Sequence, residues 1–153
     1  MKKMDIKAVD LSSFMKVLRN VEFFKSMTIG QIEKVLPYVM LFSYQKGEIV
    51  CNQGDEGDSF YMIKEGRVDV SIKAGFIFRR NKFLARLGPR EFFGEMSLVS
   101  KEVRNATVVC IEPCLIFILA QRDFSYMLSM NPEFRNEVYQ MANDRKLIMK
   151  NKI

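Results

Sequence analysis

The stretch FFGEMSLVSKEVRNATVV, from Phe92 to Val109, contains the residues with the clearest capacity for chemistry. Gly94 and Glu95 stand together, and Arg104 comes just before an apolar run that is typical of a strand. A charge at the edge of such a run is predicted to be buried, and an unpaired buried charge is costly. Arg104 therefore needs an anion as its partner.

The residues around Gly94 supply the other parts of an anion site. If GEMSLV opens a short helix after a strand, the backbone amides of Glu95, Met96 and Ser97 are donors that point outward without a partner. Gly94 lets a ligand approach the backbone, and Arg104 can donate two parallel hydrogen bonds to the same anion. Glu95 would repel a multiply charged phosphate, but it suits a sugar hydroxyl beside a singly charged phosphodiester. These requirements together describe a cyclic nucleotide.

The composition limits the alternatives. The chain has 153 residues, a net charge of +6 and no histidine. This length fits one domain with its own core, and the charge favours anionic partners without identifying them. The absence of histidine disfavours histidine-based metal sites, catalytic triads and most acid–base enzymes, so neither enzymatic activity nor a metal or cofactor is expected. The three cysteines lack metal-ligand spacing and are interpreted as small buried hydrophobic residues: Cys51, Cys110 and Cys114.

The apolar runs are short, as in LIFIL from Leu115 to Leu119, and the N-terminus has no apolar core of a secretory signal. The sequence therefore predicts no membrane segment and a cytoplasmic location.

The first of three parts, about residues 10–38, is predicted to be helical. Asp10, Ser12 or Ser13 would cap one helix, and Thr28 would cap a second helix that Pro37 ends.

The second part, residues 39–120, is predicted to consist of short strands. RVDVSIK alternates apolar and polar residues, FIFRRNKFLARL is expected to turn near Arg80–Asn81, and NATVVCI and CLIFILA are two apolar runs. Glycines punctuate these runs. Many short strands spaced in this way favour a jelly-roll or barrel.

The third part, residues 121–153, is predicted to be helical again. A short helix in QRDFSYMLSM would end before Pro132, which suits the first position of a longer helix. The basic end of that helix is as typical of a solvated helix terminus as of a functional surface.

The quoted stretch resembles the phosphate-binding cassette of the cyclic-nucleotide-binding domain family, which reads roughly Phe-Gly-Glu-x-Ala/Ser-Leu and then Arg-x-Ala-Thr/Ser. That family includes regulatory subunits of cyclic-nucleotide-dependent kinases, gated ion channels and the bacterial catabolite activator. The resemblance covers about residues 14–150. It implies one domain over 1–153: an eight-stranded antiparallel jelly-roll β-barrel with N-terminal helices, a cassette at 93–107 and C-terminal lid helices.

The resemblance also implies roles for individual residues. Arg104 would pair with the equatorial phosphate oxygen, and Glu95 would accept a hydrogen bond from the ribose 2′-hydroxyl. Val70 and Leu87 would touch the base, and Arg145 would cap it from the C-terminal helix, with Met149 on the same helical face. Backbone amides of the cassette would complete the phosphate site: Gly94, Glu95, Met96, Ser97 and Asn105.

The implied function is a sensor whose C-terminal helices move to cover the ligand. Asn105 stands where channel and cGMP-kinase members often have threonine, which favours cAMP over cGMP. The basic, aromatic segment Gly75–Lys82 has no role in this interpretation.

Two alternatives stay open: a ligand-free interaction domain on the same fold, and a fragment of a larger regulated protein. A cupin-type enzyme would need histidine ligands. We expect the output to require a protein partner or a missing effector domain, because the chain contains no predicted DNA-binding domain.

Overall fold

The computed structural model describes residues 1–21, 24–25, 27–75, 77 and 80–151, and for 142 and 145–151 it describes the backbone alone.

Nine antiparallel strands form two sheets within this part of the chain. The strands are β1 (Lys2–Met4), β2 (Met40–Tyr44), β3 (Ile49–Cys51), β4 (Ser59–Glu65), β5 (Val68–Ala74), β6 (Arg80–Leu87), β7 (Phe92–Phe93), β8 (Thr107–Cys110) and β9 (Cys114–Ala120). One sheet has the order β1-β2-β9-β4-β7 and the other β3-β8-β5-β6. The prediction of a mainly β fold with flanking helices is confirmed. The finer prediction of eight strands in a closed barrel is not, because the described strands number nine and form two separate sheets.

The helices are α1 (Ala8–Leu18), α2 (Ile29–Val35), α3 (Gln121–Ser129) and α4 (Pro132–Asn151), with 3₁₀ helices at Leu36–Tyr38 and Glu95–Leu98. Thr28 caps α2 as predicted, since its hydroxyl accepts the amide of Gln31 at 3.2 Å. Pro132 is the first residue of α4, also as predicted. None of the described helices is both long and apolar enough to cross a membrane.

The start of α1 was predicted wrongly. Lys7 is the N-cap, and Asp10 lies within the first turn, where its carboxylate accepts the Lys7 amide at 3.0 Å. Asp10 also pairs with the Lys64 ammonium at 2.7 Å, so it joins α1 to β4. These two interactions lower the pKa of the Asp10 carboxyl, the hydrogen bond from Lys64 most of all.

Strand β4 separates two hydrophobic cores. Phe60 and Met62 point towards the helices, where Phe60 lies near Phe24. Tyr61 and Ile63 point into a second core between the two sheets. Since successive side chains of a strand face opposite sides, a strand covered on both faces must be apolar throughout. This accounts for the unbroken apolar stretch FYMI.

The β5–β6 hairpin extends beyond the rest of its sheet. Strand β5 pairs with β8 only from Val68 to Ser71, whereas its pairing with β6 continues to Ala74 opposite Arg80. The turn predicted near Arg80–Asn81 is therefore placed wrongly, because β6 begins at Arg80. The polar and apolar residues at its start gave no clear strand alternation, since both faces are exposed there.

Candidate functional site

Arg104 lies just before β8, and its half-buried side chain has partners within the protein. Its Nη2 donates to the Ser59 carbonyl oxygen at 2.6 Å, and its guanidinium carbon lies 5.3 Å from the centre of the Tyr61 ring. Both of these partners are neutral, so the expectation that Arg104 pairs with an anion stays a prediction. The carbonyl at the start of β4 accepts one of the hydrogen bonds that the guanidinium can donate.

Two glycines make room for this side chain. A Cβ at Gly94 would meet the guanidinium, with Nη1 nearest, and would lie 2.8 Å from the Ser59 carbonyl oxygen. A Cβ at Gly57 would lie 2.7 Å from the Ser97 hydroxyl and 3.4 Å from Arg104 Nε. The predicted residues Gly94, Ser97 and Arg104 thus lie together in space. Any residue larger than glycine at 57 or 94 would displace one of them.

An aromatic pair lies next to the guanidinium. The rings of Tyr61 and Phe93 stack at 4.8 Å with an interplanar angle of 13°. The two residues face each other in the β4–β7 ladder, so the sheet register fixes the stack. Burial raises the pKa of the Tyr61 hydroxyl, which keeps the ring neutral. Arg104 therefore faces an uncharged π-system, an arrangement that attracts cations.

The Cys51 thiol belongs to the same environment. Burial raises its pKa, and the positive charge of Arg104 acts in the opposite direction. Cys51 is half-buried, whereas Cys110 and Cys114 are buried as predicted.

The loop that carries Arg104 is tied to the loop before β4. The Arg104 amide donates to the Asp55 carbonyl at 2.6 Å, and the Gly54 amide donates to the Arg104 carbonyl at 2.7 Å. The Gly57 amide bonds to the Glu102 carbonyl at 2.8 Å. These backbone bonds fix the origin of the Arg104 side chain, so its direction does not depend on side-chain contacts alone.

The predicted helix after Gly94 exists as a single 3₁₀ turn. Gly94 has a φ of 78°, which a residue with a Cβ adopts only with strain, and Glu95 begins the turn. The Ser97 amide donates to the Gly94 carbonyl at 3.1 Å. It therefore does not point outward as an unsatisfied donor, and that part of the prediction is wrong. The tighter 3₁₀ hydrogen-bonding pattern uses this amide one residue earlier than an α-helix would.

The other predicted residues are placed as follows. Val70 in β5 and Leu87 in β6 pack against the core between the sheets, to which Tyr61 also belongs. Met96 is half-buried in the 3₁₀ turn, and Asn105 is exposed beside Arg104. Arg145 and Met149 lie on the backbone of α4, but their side chains are outside the described part of the chain.

Sequence reasoning missed Ser59 and Tyr61. Tyr61 follows Ser59 by two positions in a strand, so the two residues face the same side of the sheet. That alternation was readable in SFYMI, but nothing in the sequence indicated which side Arg104 would approach. Gly57 carried a weak signal as a glycine two residues before the start of a strand.

A sequence model described as "Cyclic nucleotide-binding domain" matches residues 41–131, more than half of the chain. The chain belongs to this family. The cyclic nucleotide-binding domain also resembles a solved structure, the N-terminal domain of a transcriptional regulator from Streptomyces coelicolor A3(2). That likeness has a TM-score of 0.74 and 26% identity, and it covers 89% of this chain and 95% of the other.

Curated relatives contain this domain within much longer chains. The cGMP-dependent protein kinase isozyme 2 (forms cD5/T2) of Drosophila melanogaster is 28% identical over 133 residues, which is 86% of this chain and 14% of the kinase. The cAMP-dependent protein kinase regulatory subunit of Yarrowia lipolytica is 30% identical over 135 residues, which is 88% of this chain and 34% of the subunit. The cyclic nucleotide-binding domain therefore spans a minor part of either relative.

Proposed function

We propose that this domain binds a cyclic nucleotide and acts as a regulatory sensor, with cAMP preferred to cGMP. The observation that best supports binding is the position of the Arg104 guanidinium. It is half-buried between two glycines, with one amino group bound to the Ser59 carbonyl and the other next to Gly94. A phosphodiester beside Gly94 would meet a fixed positive charge, which the two glycines leave room for.

Further residues near Arg104 are proposed to contact the rest of the nucleotide. The backbone amides near Gly94, Glu95, Met96, Ser97 and Asn105 are the proposed phosphate donors, although the Ser97 amide would have to exchange its present partner. Glu95 is the proposed acceptor for the ribose 2′-hydroxyl. Val70 and Leu87, which line the core between the sheets, are the proposed contacts of the base.

The preference for cAMP rests on Asn105. This residue follows Arg104 at the position where a threonine hydroxyl helps many channel and cGMP-kinase members to hold cGMP. The relatives do not decide between the ligands, since the two described above are named for cGMP and for cAMP.

The deciding experiment is titration calorimetry with cAMP and cGMP, with 5′-AMP as a control that has the base and sugar but an open, doubly charged phosphate. We expect saturable binding of cAMP, weaker binding of cGMP and much weaker binding of 5′-AMP, because a second phosphate charge lies close to Glu95. A folded domain that binds neither cyclic nucleotide would instead favour a ligand-free interaction domain on the same fold.

The sensor part of the proposal concerns α4. Arg145 and Met149 lie four residues apart on this helix and so share one face, where a guanidinium could stack on a purine. Hydrogen exchange of residues 140–150 should slow when cAMP is added. Truncation after Asn143 should weaken binding by about 1–3 kcal/mol, mainly through faster dissociation. Equal exchange in both states and an unchanged dissociation rate would make α4 a static packing element.

The output of such a sensor is also a proposal. A ligand-dependent shift of α4 would act on a protein partner or on a further domain, since the domain itself carries no proposed catalytic residue.

A further inference from the structure

The positive charge of this chain is concentrated in one segment. Residues 70–90 contain six Lys and Arg residues and no Asp or Glu. The whole chain has 24 basic and 18 acidic residues, so the chain outside this segment has 18 of each and no net charge. These residues make up most of the β5–β6 hairpin, and the hairpin also includes Asp69 just before them. Most of the net positive charge therefore comes from this one structural element.

This hairpin projects from the protein. Beyond Ser71, β5 has no described strand partner except β6, and the exposed residues occupy both faces of the two-stranded ribbon. Ile72 pairs with Lys82 and Ala74 with Arg80 on one face, while Lys73 pairs with Asn81 on the other. Residues that face each other across an antiparallel pair lie on the same side of the sheet. Both faces of the ribbon therefore carry positive charge.

Large apolar side chains lie between these charges. Ile77, in the turn, is 79% exposed, Phe83 is 58% exposed and Leu84 is 47% exposed. In the sequence, Ile77 is also flanked by Phe76 and Phe78. A soluble domain seldom exposes several large apolar residues in one place unless they meet a partner.

The cations of the ribbon are available for such a partner. Within the described part of the chain, Lys73, Arg80 and Lys82 form no ion pair, whereas Arg86 nearer the sheet pairs with Asp69 at 2.7 Å. Among the described residues of the ribbon, the basic side chains without a carboxylate partner are thus those closest to its end.

We infer that the β5–β6 hairpin binds the surface of an anionic lipid bilayer, with Ile77 in the interface and Lys73, Arg80 and Lys82 at the lipid headgroups. The exposed Ile77 at the end of the ribbon would reach the apolar interior of the bilayer. The cations on both faces of the ribbon would then lie at the level of the charged headgroups. An acidic peptide would match the charges but not the projecting Ile77. Nucleic acid would match the charges and Phe83, but aliphatic side chains such as Ile77 and Leu84 offer no stacking face.

The inference can be tested by sedimentation of the protein with phosphatidylcholine vesicles that contain or lack phosphatidylserine. We expect binding only to the anionic vesicles and a decrease with added salt. The triple variant Lys73→Gln, Arg80→Gln, Lys82→Gln should lower partitioning by roughly 100-fold, because each basic residue near the surface contributes about a fivefold step. Ile77→Asn should lower it by about 10-fold without any change in charge.

A matched control removes the same charge elsewhere. The variant Lys16→Gln, Lys46→Gln, Lys101→Gln alters three exposed lysines outside the hairpin and should retain most vesicle binding. All variants should melt at the temperature of the wild type, because the altered side chains are exposed. Equal losses in the hairpin and control triples would mean that net charge alone is responsible, and the inference would be wrong.

Two further outcomes would also overturn it. One is absence of binding to anionic vesicles by the wild type. The other is binding to an oligonucleotide, in preference to vesicles, that the hairpin triple abolishes and Ile77→Asn leaves intact. None of these measurements requires a cyclic nucleotide, so the result is independent of the proposed function.

Discussion

Tyr61 lies beneath Arg104: the guanidinium carbon is 5.3 Å from the centre of the tyrosine ring, whose other neighbour is the stacked ring of Phe93. The arginine proposed to bind phosphate is thus oriented before any ligand arrives. A side chain already fixed in direction loses less rotational freedom when it binds. If Arg104 binds the phosphate as proposed, the aromatic pair would contribute to affinity by holding the guanidinium in place.

Tyr61→Leu is expected to weaken cyclic-nucleotide binding by about 1 kcal/mol, or about 5-fold, because it removes the π-system beneath the cation. Tyr61→Phe retains the ring and should bind nearly as well as the wild type. Calorimetry on both variants provides the measurement. In an Arg104→Ala background Tyr61→Leu should have almost no further effect, and an equal loss in that background would show that the ring acts on the ligand site by another route.

Arg104→Ala is expected to weaken binding by roughly 2–5 kcal/mol, since it removes the charged partner of the phosphate. The ligand-free protein should also lose about 1–2 kcal/mol of stability, because the Ser59 carbonyl and the Tyr61 ring lose their partner. Urea unfolding without ligand measures the second effect. Unchanged or increased stability would indicate that the bond to Ser59 contributes nothing in solution.

Gly94→Ala tests the space beside the guanidinium. The new methyl group would collide with Arg104 and lie 2.8 Å from the Ser59 carbonyl, so we expect about 10-fold weaker binding. Gly47→Ala is a matched control: Gly47 has a φ of 89° but nothing within 4 Å of the added Cβ. Both variants should lose stability of about 1–2 kcal/mol from backbone strain. Equal affinities in the two variants would exclude a steric role for Gly94.

Glu95→Gln should weaken binding by about 1–3 kcal/mol if its carboxylate accepts the ribose hydroxyl. The loss should nearly disappear with 2′-deoxy-cAMP, which lacks the donor. Competition binding with both nucleotides provides the comparison. A variant that distinguished the deoxy analogue as strongly as the wild type would remove Glu95 from the ribose contact.

The Asp10–Lys64 pair predicts a pH dependence of stability. The pKa of Asp10 is lowered from its ordinary value of 3.8, so the folded state favours the carboxylate. The resulting stabilisation is fully present above that value and is lost as the pH falls through the lower pKa of the folded protein. Asp10→Asn should therefore lower the free energy of unfolding by about 1–3 kcal/mol at neutral pH and by progressively less in acid.

Asp69→Asn is the control for this experiment, because Asp69 pairs with Arg86 on the exposed surface. It should change stability little at any pH. If Asp10→Asn behaved in the same way, the buried pair would not stabilise the attachment of α1 to β4.

The cassette could be predicted from the sequence because its evidence is local. The glycine, the glutamate and the spacing to Arg104 are all within one short stretch. The helix cap at Thr28 and the helix start at Pro132 depend on neighbouring residues alone. The partners of Arg104 are different. Ser59 lies 45 residues away in sequence and offers a backbone carbonyl, an acceptor that every residue has. No side-chain pattern reveals such a contact.

The features that could not be predicted from the sequence otherwise depend on strand pairing. The position of the β5–β6 turn was predicted wrongly because an exposed ribbon has no buried face to impose alternation. The two-sheet arrangement depends on which strands pair, and apolar patterning leaves that choice open.

Strand β4 also lies between Arg104 and the helices. Ser59, whose carbonyl accepts the Arg104 guanidinium, is followed directly by Phe60, whose ring packs against Phe24 and Phe92 on the helix side. A single strand therefore separates the proposed phosphate site from the helices. A ligand that drew Arg104 away from that carbonyl would act on the same strand that supports the helices, with no relay of side chains between them.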